Sequence, residues 1–116
     1  MPDSVIKDKS HMFAVRIVPP RKELTGRKEY VLSRETLGAG TYIGARVKEA
    51  QQAESRRGFI AKMSPALQPA SETEYWLEIL RDTDYIDRKT FDSLNGDCVE
   101  LLRPLTSVVK TSRQNN

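Results

Sequence analysis

The stretch "FIAKMSPALQPASETEYWLEIL", residues 59–80, decides the fold because its apolar residues keep a helical period through two prolines. One stripe advances in alternating steps of four and three residues, the spacing of a seam between antiparallel helices. The seam consists of Phe59, Met63, Ala66, Ala70, Thr73, Leu77 and Leu80. Both prolines lie off this seam. We therefore predict one helix that begins after an N-cap at Ser55, bends near residues 61–69 and carries both prolines on its outer side.

A shorter third helix is the alternative, because proline at the first helical position loses no hydrogen bond. In that case the prolines would cap a helix that begins near residue 69. The two interpretations predict opposite outcomes for alanine replacements. If Pro65 and Pro69 lie inside a continuous helix, replacing both should raise thermal stability, because each replacement restores a backbone hydrogen bond.

The rest of the chain contains three more segments with helical periodicity. They cover about residues 4–25, 30–52 and 87–112, with Asp87 as the cap of the last segment and a polar, disordered tail at 112–116. The inward stripe of the first is predicted as Ile6, Phe13, Ile17 and Leu24, and that of the last as Phe91, Leu94, Cys98, Leu101, Leu105 and Val108. Helices joined by short connections pack antiparallel. We predict an all-α fold, an antiparallel up-down-up-down four-helix bundle, in a single domain over residues 1–116.

Composition limits the protein class. The 116 residues are enough for one small domain, and an aromatic content of only 7% disfavours a thick β-sandwich core. No apolar run reaches the roughly 20 residues that a membrane crossing needs, and the N-terminal residues lack the order of a secretory signal. The single cysteine, Cys98, fits a reducing compartment. We predict a cytoplasmic protein with no membrane partner.

Two constellations suggest chemistry, and neither is complete. Carboxylate-bridged metal sites need glutamates together with Glu-x-x-His pairs, and the single histidine, His11, has no such partner. Cys98 and His11 are the only residues of their types, but a thiol on a helix seam is ordinary core packing. The glutamates considered are Glu49, Glu54, Glu72 and Glu74. The sequence therefore predicts no enzyme, no catalytic residue, no metal and no cofactor.

The third helix carries a second apolar stripe beside its seam. An apolar patch off the core seam is typical of a protein interface. We predict that the stripe is an oligomer interface; the alternative is that Trp76 covers one edge of the bundle. The stripe consists of Pro65, Pro69, Glu72, Trp76 and Ile79.

The formal net charge of +3 is divided unevenly. Residues 1–62 contain 13 Lys and Arg against 7 Asp and Glu, whereas residues 63–116 contain 6 against 9. If the basic side chains gather on one rim, they would attract nucleic-acid backbones without reading sequence; the alternative is ordinary solvated helix surface. The candidate nucleic-acid contacts are Arg16, Arg21, Lys22, Arg27, Lys28, Arg34, Arg46, Lys48, Arg56 and Arg57.

Four segments carry a family resemblance: "YVLSRETLGAGTYIGARVKEA", "FIAKM", "SETEYWLEIL" and "LLRPLTSVVKT". Over about residues 5–111 the chain resembles the four-helix bundle proteins found as open reading frames in intervening sequences of 23S rRNA genes. A related branch is the accessory variability protein of diversity-generating retroelements. The resemblance implies a homopentamer with a possible partner in nucleic acid or a nucleic-acid enzyme such as reverse transcriptase.

The chain departs from the family pattern mainly at prolines and at Arg46, where the family usually has asparagine. An interior proline costs about 3 kcal/mol, which is large against a typical domain stability of about 5–15 kcal/mol. Either oligomerisation compensates, or the chain is an engineered variant of the family scaffold. The functional alternatives are accordingly a pentamer that binds nucleic acid and a purely structural or engineered self-assembling subunit. The departing prolines are Pro19, Pro20, Pro65, Pro69 and Pro104.

Overall fold

Five α-helices and one 3₁₀ turn make up the computed structural model, which describes residues 3–27 and 29–114, and side chains at 5–18, 27 and 29–114. The predicted third helix is present as two α-helices joined by the 3₁₀ turn Ser64–Ala66. The described residues contain no strand, which confirms the all-α prediction. The helices are α1 (Asp3–Gly26), α2 (Tyr30–Ala50), α3 (Arg56–Met63), α4 (Leu67–Asp82) and α5 (Arg88–Gln114).

The helices pack as an antiparallel four-helix bundle in which α3, the 3₁₀ turn and α4 together form one of the four rods. Helix α2 packs between α1 and α4, while α5 closes the bundle against α1, α3 and α4. The bundle measures 46 × 22 × 21 Å. Its long axis agrees with helices of about 27 residues at 1.5 Å per residue. The predicted up-down-up-down architecture is confirmed.

The prolines determine where the third rod changes its helix type. Pro65 has no N–H to donate to the carbonyl of Ala61, so the chain tightens after Met63 into the 3₁₀ turn. Within this turn Leu67 donates its N–H to the carbonyl of Ser64, three residues back. Pro69 lies in the first turn of α4, where an N–H lacks an intrahelical acceptor in any case. The chain thus stays helical between the two α-segments, with the interruption inside the predicted interval 61–69.

The predicted seams form the core. All seven seam residues of the third rod are buried, as are the described members of the α1 stripe and five of the six α5 positions. Val108 is half-buried, and the side chain of Leu24 lies outside the described residues. The expectation that both prolines face outward is wrong for Pro69, which is buried, and holds for Pro65, which is exposed. The reason is that a rod of the bundle has two neighbours, so its buried arc is wider than one seam.

Capping side chains fix several helix ends. Ser55 accepts a hydrogen bond from the N–H of Gly58 at 3.0 Å, and Asp87 accepts one from Thr90 at 2.6 Å. These bonds confirm both predicted N-caps. The cap of α2 was missed, because Glu29 is an uncommon capping residue; its carboxylate accepts from Leu32 at 2.9 Å. The side chains before residue 5, at the start of α1, lie outside the described residues.

Helix α5 is longer than predicted. It continues to Gln114, two residues beyond the expected end at 112, and the final two residues of the predicted tail lie outside the described part. The connection before it contains Ile86, which is buried although the segment is otherwise polar. Among the described helices, none is long and apolar enough to cross a membrane.

Candidate functional site

A groove separates α2 from α4 on the outside of the bundle and contains part of the predicted interface. It encloses about 520 Å³, a volume within the range of small binding sites. Polar and charged side chains of both signs lie beside small and apolar ones. The groove is lined by Glu35, Gly38, Ala39, Tyr42, Arg46, Pro65, Gln68, Pro69 and Glu72.

The structure brings three of the five predicted interface residues together in this groove. Pro65 and Glu72 are exposed there, whereas Pro69 forms part of its buried floor. Trp76 and Ile79 are half-buried and do not line the groove. Half-burial of Trp76 supports the alternative that this ring covers an edge of the bundle.

Exposed aromatic and aliphatic side chains lie in the groove and elsewhere on α2 and α4. Tyr42 in the groove is 50% exposed, Val31 on α2 is 60% exposed and Tyr75 on α4 is 55% exposed. The Tyr75 ring packs edge-on against Trp76, with centroids 5.3 Å apart. Sequence periodicity missed Val31, Tyr42 and Tyr75, because none lies on an apolar stripe of its own helix.

Glycines on α2 distinguish the two sides of this helix. A Cβ on Gly40 would lie 3.1 Å from Ile17 Cγ1, and one on Gly44 would lie 3.3 Å from the carbonyl oxygen of Ser10. These two glycines permit the close approach of α1. A Cβ on Gly38 would meet no atom of the described residues within 4 Å. Within the part of the chain that the structure describes, close packing therefore does not explain the glycine at position 38.

Arg46 is held at one end of the groove. Its guanidinium lies over the Tyr42 ring, 4.6 Å from the centroid, and pairs with Glu49 at 3.2 Å. Its Nε is buried and has no acceptor among the described residues. An arginine stacked on an aromatic ring loses little further side-chain freedom when it binds a partner. Arg46 is therefore a pre-organised cation at the groove.

The predicted basic residues do not gather on one rim. Arg27 lies where α1 and α2 join; its guanidinium stacks on Tyr85, 4.4 Å from the ring centroid. Arg56 and Arg57 begin α3 at the opposite end of the bundle. Arg16 lies between, on α1, where it pairs with Asp97 and donates to Ser93 at 2.6 Å. Lys28 and the side chains of Arg21 and Lys22 lie outside the described part.

One end of the bundle is nevertheless strongly basic. The antiparallel course places the α2–α3 connection beside the C-terminal part of α5 and the start of α1. The sequence segments there, 3–9, 45–62 and 103–114, contain ten Lys and Arg and four Asp and Glu, a net charge of +6. The segments at the other end, 21–27, 29–35 and 76–92, contain seven Lys and Arg and eight Asp and Glu. We call the first group the basic end.

The basic end combines four predicted residues with six further cations. Arg46, Lys48, Arg56 and Arg57 were predicted, and Arg34 lies nearer the other end on α2. The additional residues lie on α1, α3 and α5, and only the topology of the bundle connects those of α1 and α5 with α2. They are Lys7, Lys9, Lys62, Arg103, Lys110 and Arg113.

Cys98 and His11 do not form a nucleophile pair. Cys98 is buried between α5 and α4, where its Sγ donates to the carbonyl of Ala70 at 3.3 Å. Burial, with a smaller contribution from the charge of Glu74, raises the pKa of the Cys98 thiol from 9.0 to about 12. His11 is exposed on α1 beside α2. In the described part of the chain, no three His, Cys, Asp or Glu side chains are grouped as metal ligands.

Comparison with known proteins agrees with this architecture. A family profile described as "23S rRNA-intervening sequence protein" matches residues 2–107. A solved structure from Bacteroides thetaiotaomicron, described as a protein with unknown function from the S23 ribosomal protein family, is 50% identical. The alignment covers 90% of this chain and 98% of that chain, with a TM-score of 0.84. No curated protein matches the chain.

Proposed function

Because the chain belongs to the 23S rRNA-intervening sequence protein family, we propose that it is a non-enzymatic, self-assembling subunit whose copies meet along the α2–α4 groove. The proposed assembly is a homopentamer, the state that the family resemblance implies. A cytoplasmic location, consistent with the single buried thiol, is part of the proposal. The observation that carries the assembly face is the unfilled space at Gly38 within an apolar surface.

Gly38 supports self-association because open space at its Cβ position coincides with its place in the α2–α4 groove. A glycine inside a helix is about 1 kcal/mol less favourable than alanine, and no described residue contacts the Cβ position. A neighbouring subunit that packs closely against the α2 backbone would explain why this position is a glycine. Tyr42, one turn away and half exposed, offers the kind of aromatic anchor that is enriched at interface centres.

The charges of the groove favour a second copy over an oppositely charged partner. Glu35 and Glu72 line the groove together with the stacked guanidinium of Arg46. A ring of identical subunits uses a contact in which this groove receives a different surface of the next copy, and a groove with both signs of charge can complement another surface of a chain that itself carries both signs. Assembly would also offset the cost of prolines in the third rod.

Sedimentation velocity tests the assembly. The wild-type chain should sediment as a species of about five times its 13.2 kDa mass at micromolar concentration. Gly38→Leu fills the groove and should shift the population toward monomer without unfolding it. Gly96→Leu is the matched control, because Gly96 is also a helix glycine with open space at its Cβ position but lies on α5. A stable wild-type monomer, or equal loss of assembly in both variants, would contradict the proposal.

Sequence-tolerant binding of nucleic acid at the basic end is a second function that we propose. Its support is the net charge of +6 on one end of the bundle, which assembly would repeat in every copy. Neutralising several phosphates releases counterions, so affinity should fall steeply as salt rises. The alternative is a purely structural or engineered assembly without a nucleic-acid partner.

Fluorescence anisotropy with labelled single-stranded RNA and DNA separates these functions. We expect binding that weakens between about 50 and 200 mM salt by tenfold or more, as phosphate contacts predict. Arg56→Ala/Arg57→Ala should weaken binding, whereas Arg88→Ala/Lys89→Ala at the other end should leave it unchanged. Absence of binding at low salt would leave the purely structural alternative, and equal effects of both double variants would exclude the basic end as the site.

A further inference from the structure

A second groove follows the other side of α2, where this helix packs against α1. It encloses about 330 Å³, enough for a small ligand group. On α1 its walls are formed by side chains four and three residues apart, and on α2 by side chains at matching intervals. The groove is lined by Lys7, Asp8, His11, Ala14, Thr41, Gly44, Ala45 and Lys48.

The register of the two helices brings two lysines to opposite walls of this groove. The Cβ position of Gly44 lies 3.3 Å from the carbonyl oxygen of Ser10, so these residues are level with each other. One helical turn closer to the basic end, α1 carries Lys7 and α2 carries Lys48. In the part of the chain that the structure describes, neither ammonium group forms an ion pair with a carboxylate.

The other polar groups narrow the choice of ligand. His11 lines the groove one turn from Lys7 and supplies a ring nitrogen. The hydroxyl of Thr41 is already used, because it donates to the carbonyl of Leu37 at 2.8 Å. Asp8 is the single carboxylate among the lining residues and opposes an anion. Two lysines and one aspartate give these walls a formal charge of +1.

We propose that the α1–α2 groove binds a phosphate group between Lys7 and Lys48, with His11 as an additional contact. A phosphate monoester carries about −1.5 to −2 charges at neutral pH and three acceptor oxygens. An anion in the groove can be attracted by an ammonium group from each of the two helices. The site lies across α2 from the α2–α4 groove, and so does not depend on the proposed assembly face.

NMR titration of the protein follows the site directly, because His11 is the single histidine of the chain and its ring signals are unambiguous. Inorganic phosphate should move these signals to saturation. Sodium chloride at matched ionic strength should leave them nearly unchanged. Equal movement with chloride, or movement without saturation, would overturn the proposal.

Variants with opposite expected signs make the test specific. Exposed ion pairs contribute modestly, so Lys7→Ala and Lys48→Ala should each weaken phosphate binding about threefold, whereas Asp8→Asn should strengthen it about twofold. Lys9→Ala is the control: this lysine neighbours Asp8 but pairs with Glu100 at 3.2 Å, outside the groove. Equal weakening by Lys7→Ala, Lys48→Ala and Lys9→Ala would reduce the effect to general charge and overturn the site.

A second titration distinguishes the source of the phosphate. A short RNA oligonucleotide without terminal phosphates offers only backbone diesters. If it shifts the His11 signals, and Lys7→Ala/Lys48→Ala abolishes the shift, the groove takes a nucleic-acid backbone. If inorganic phosphate alone does so, the groove takes a free phosphate or phosphate monoester. Failure of both ligands to saturate would refute the inference and leave the Arg56/Arg57 test of the basic end unaffected.

Discussion

Helix α2 makes two contacts that use small residues in opposite ways. Toward α1 the contact is closed at Gly40 and Gly44, where Ile17 and the Ser10 carbonyl approach the backbone, although a groove opens beside it. Toward α4 the contact opens into a groove, and Gly38 faces space that no described residue fills. The comparison teaches that a glycine on a helix surface indicates close packing only where another element reaches it. The closed contact holds the fold, and the open one is left for a partner.

The largest effect should come from adding volume to the closed contact. Gly40→Leu forces a side chain into the Ile17 position and should lower the free energy of unfolding by about 3 kcal/mol, at the upper end of overpacking costs. Gly38→Leu adds the same volume to open space and should not destabilise the monomer, because leucine also has a higher helix propensity than glycine. Urea denaturation followed by circular dichroism measures both. Similar losses of stability in the two variants would contradict the difference between the α1 and α4 sides of α2.

The two prolines should separate in the same way. Pro69→Ala removes buried ring carbons from the groove floor and should destabilise by about 1–2 kcal/mol, at about 0.8 kcal/mol per buried CH₂. Pro65→Ala restores a hydrogen bond worth about 1 kcal/mol but gives back about 0.4–1 kcal/mol of unfolded-state entropy, so its net effect should be small. Pro69 burial therefore replaces the expectation that both replacements raise thermal stability. Thermal unfolding that ranks Pro65→Ala below Pro69→Ala would contradict this order.

A third test uses the closed contact of α4 with α5, where Cys98 is buried. The pKa of Cys98 is raised to about 12 in the folded chain, so the unfolded chain loses this proton first as pH rises above 9. The thiol's contribution is fully present below pH 9 and declines toward pH 12, by about 1.4 kcal/mol per pH unit. Comparing wild type with Cys98→Ala between pH 8 and 10 isolates this slope. Parallel pH profiles for the two proteins would count against a sealed α4–α5 contact.

The smallest effect should be a gain. Gly38→Ala improves helix propensity and should raise the unfolding free energy of the monomer by up to about 1 kcal/mol. Gly40→Ala receives the same propensity gain, but its methyl would lie 3.1 Å from Ile17 Cγ1, so it should be less stable than Gly38→Ala. Denaturant midpoints at concentrations below assembly measure the difference. A larger gain in unfolding free energy for Gly40→Ala than for Gly38→Ala would contradict close packing at Gly40.

The helical period of the apolar residues was enough to predict the buried seams, because a seam repeats at fixed steps along one helix. The seam of the third rod followed from spacing, and the Ser55 and Asp87 caps followed from residue type. Pro69 did not, since its burial depends on which side α2 occupies. The α/3₁₀/α division also needed the backbone, because two prolines four residues apart are compatible with a bend, a cap or a change of helix type.

The surface sites were harder to predict because they join distant segments. Arg56 and Lys110 lie at the same end of the bundle only because the chain returns along α5. Counting charge by halves of the sequence therefore grouped basic residues that do not lie together in the fold. Tyr42 and Pro65 share a groove for the same reason. A surface site of this kind is a property of topology, whereas a seam is a property of one helix.

The uneven charge along the bundle axis gives any ring of these subunits a sidedness. Cyclic symmetry with subunits parallel to the ring axis points every copy in the same direction, so the +6 ends would all appear on one face. Dihedral symmetry would pair the ends head to head and cancel this polarity. A cyclic ring would therefore attract a polyanion to one face only, and the opposite face would stay free for a different partner.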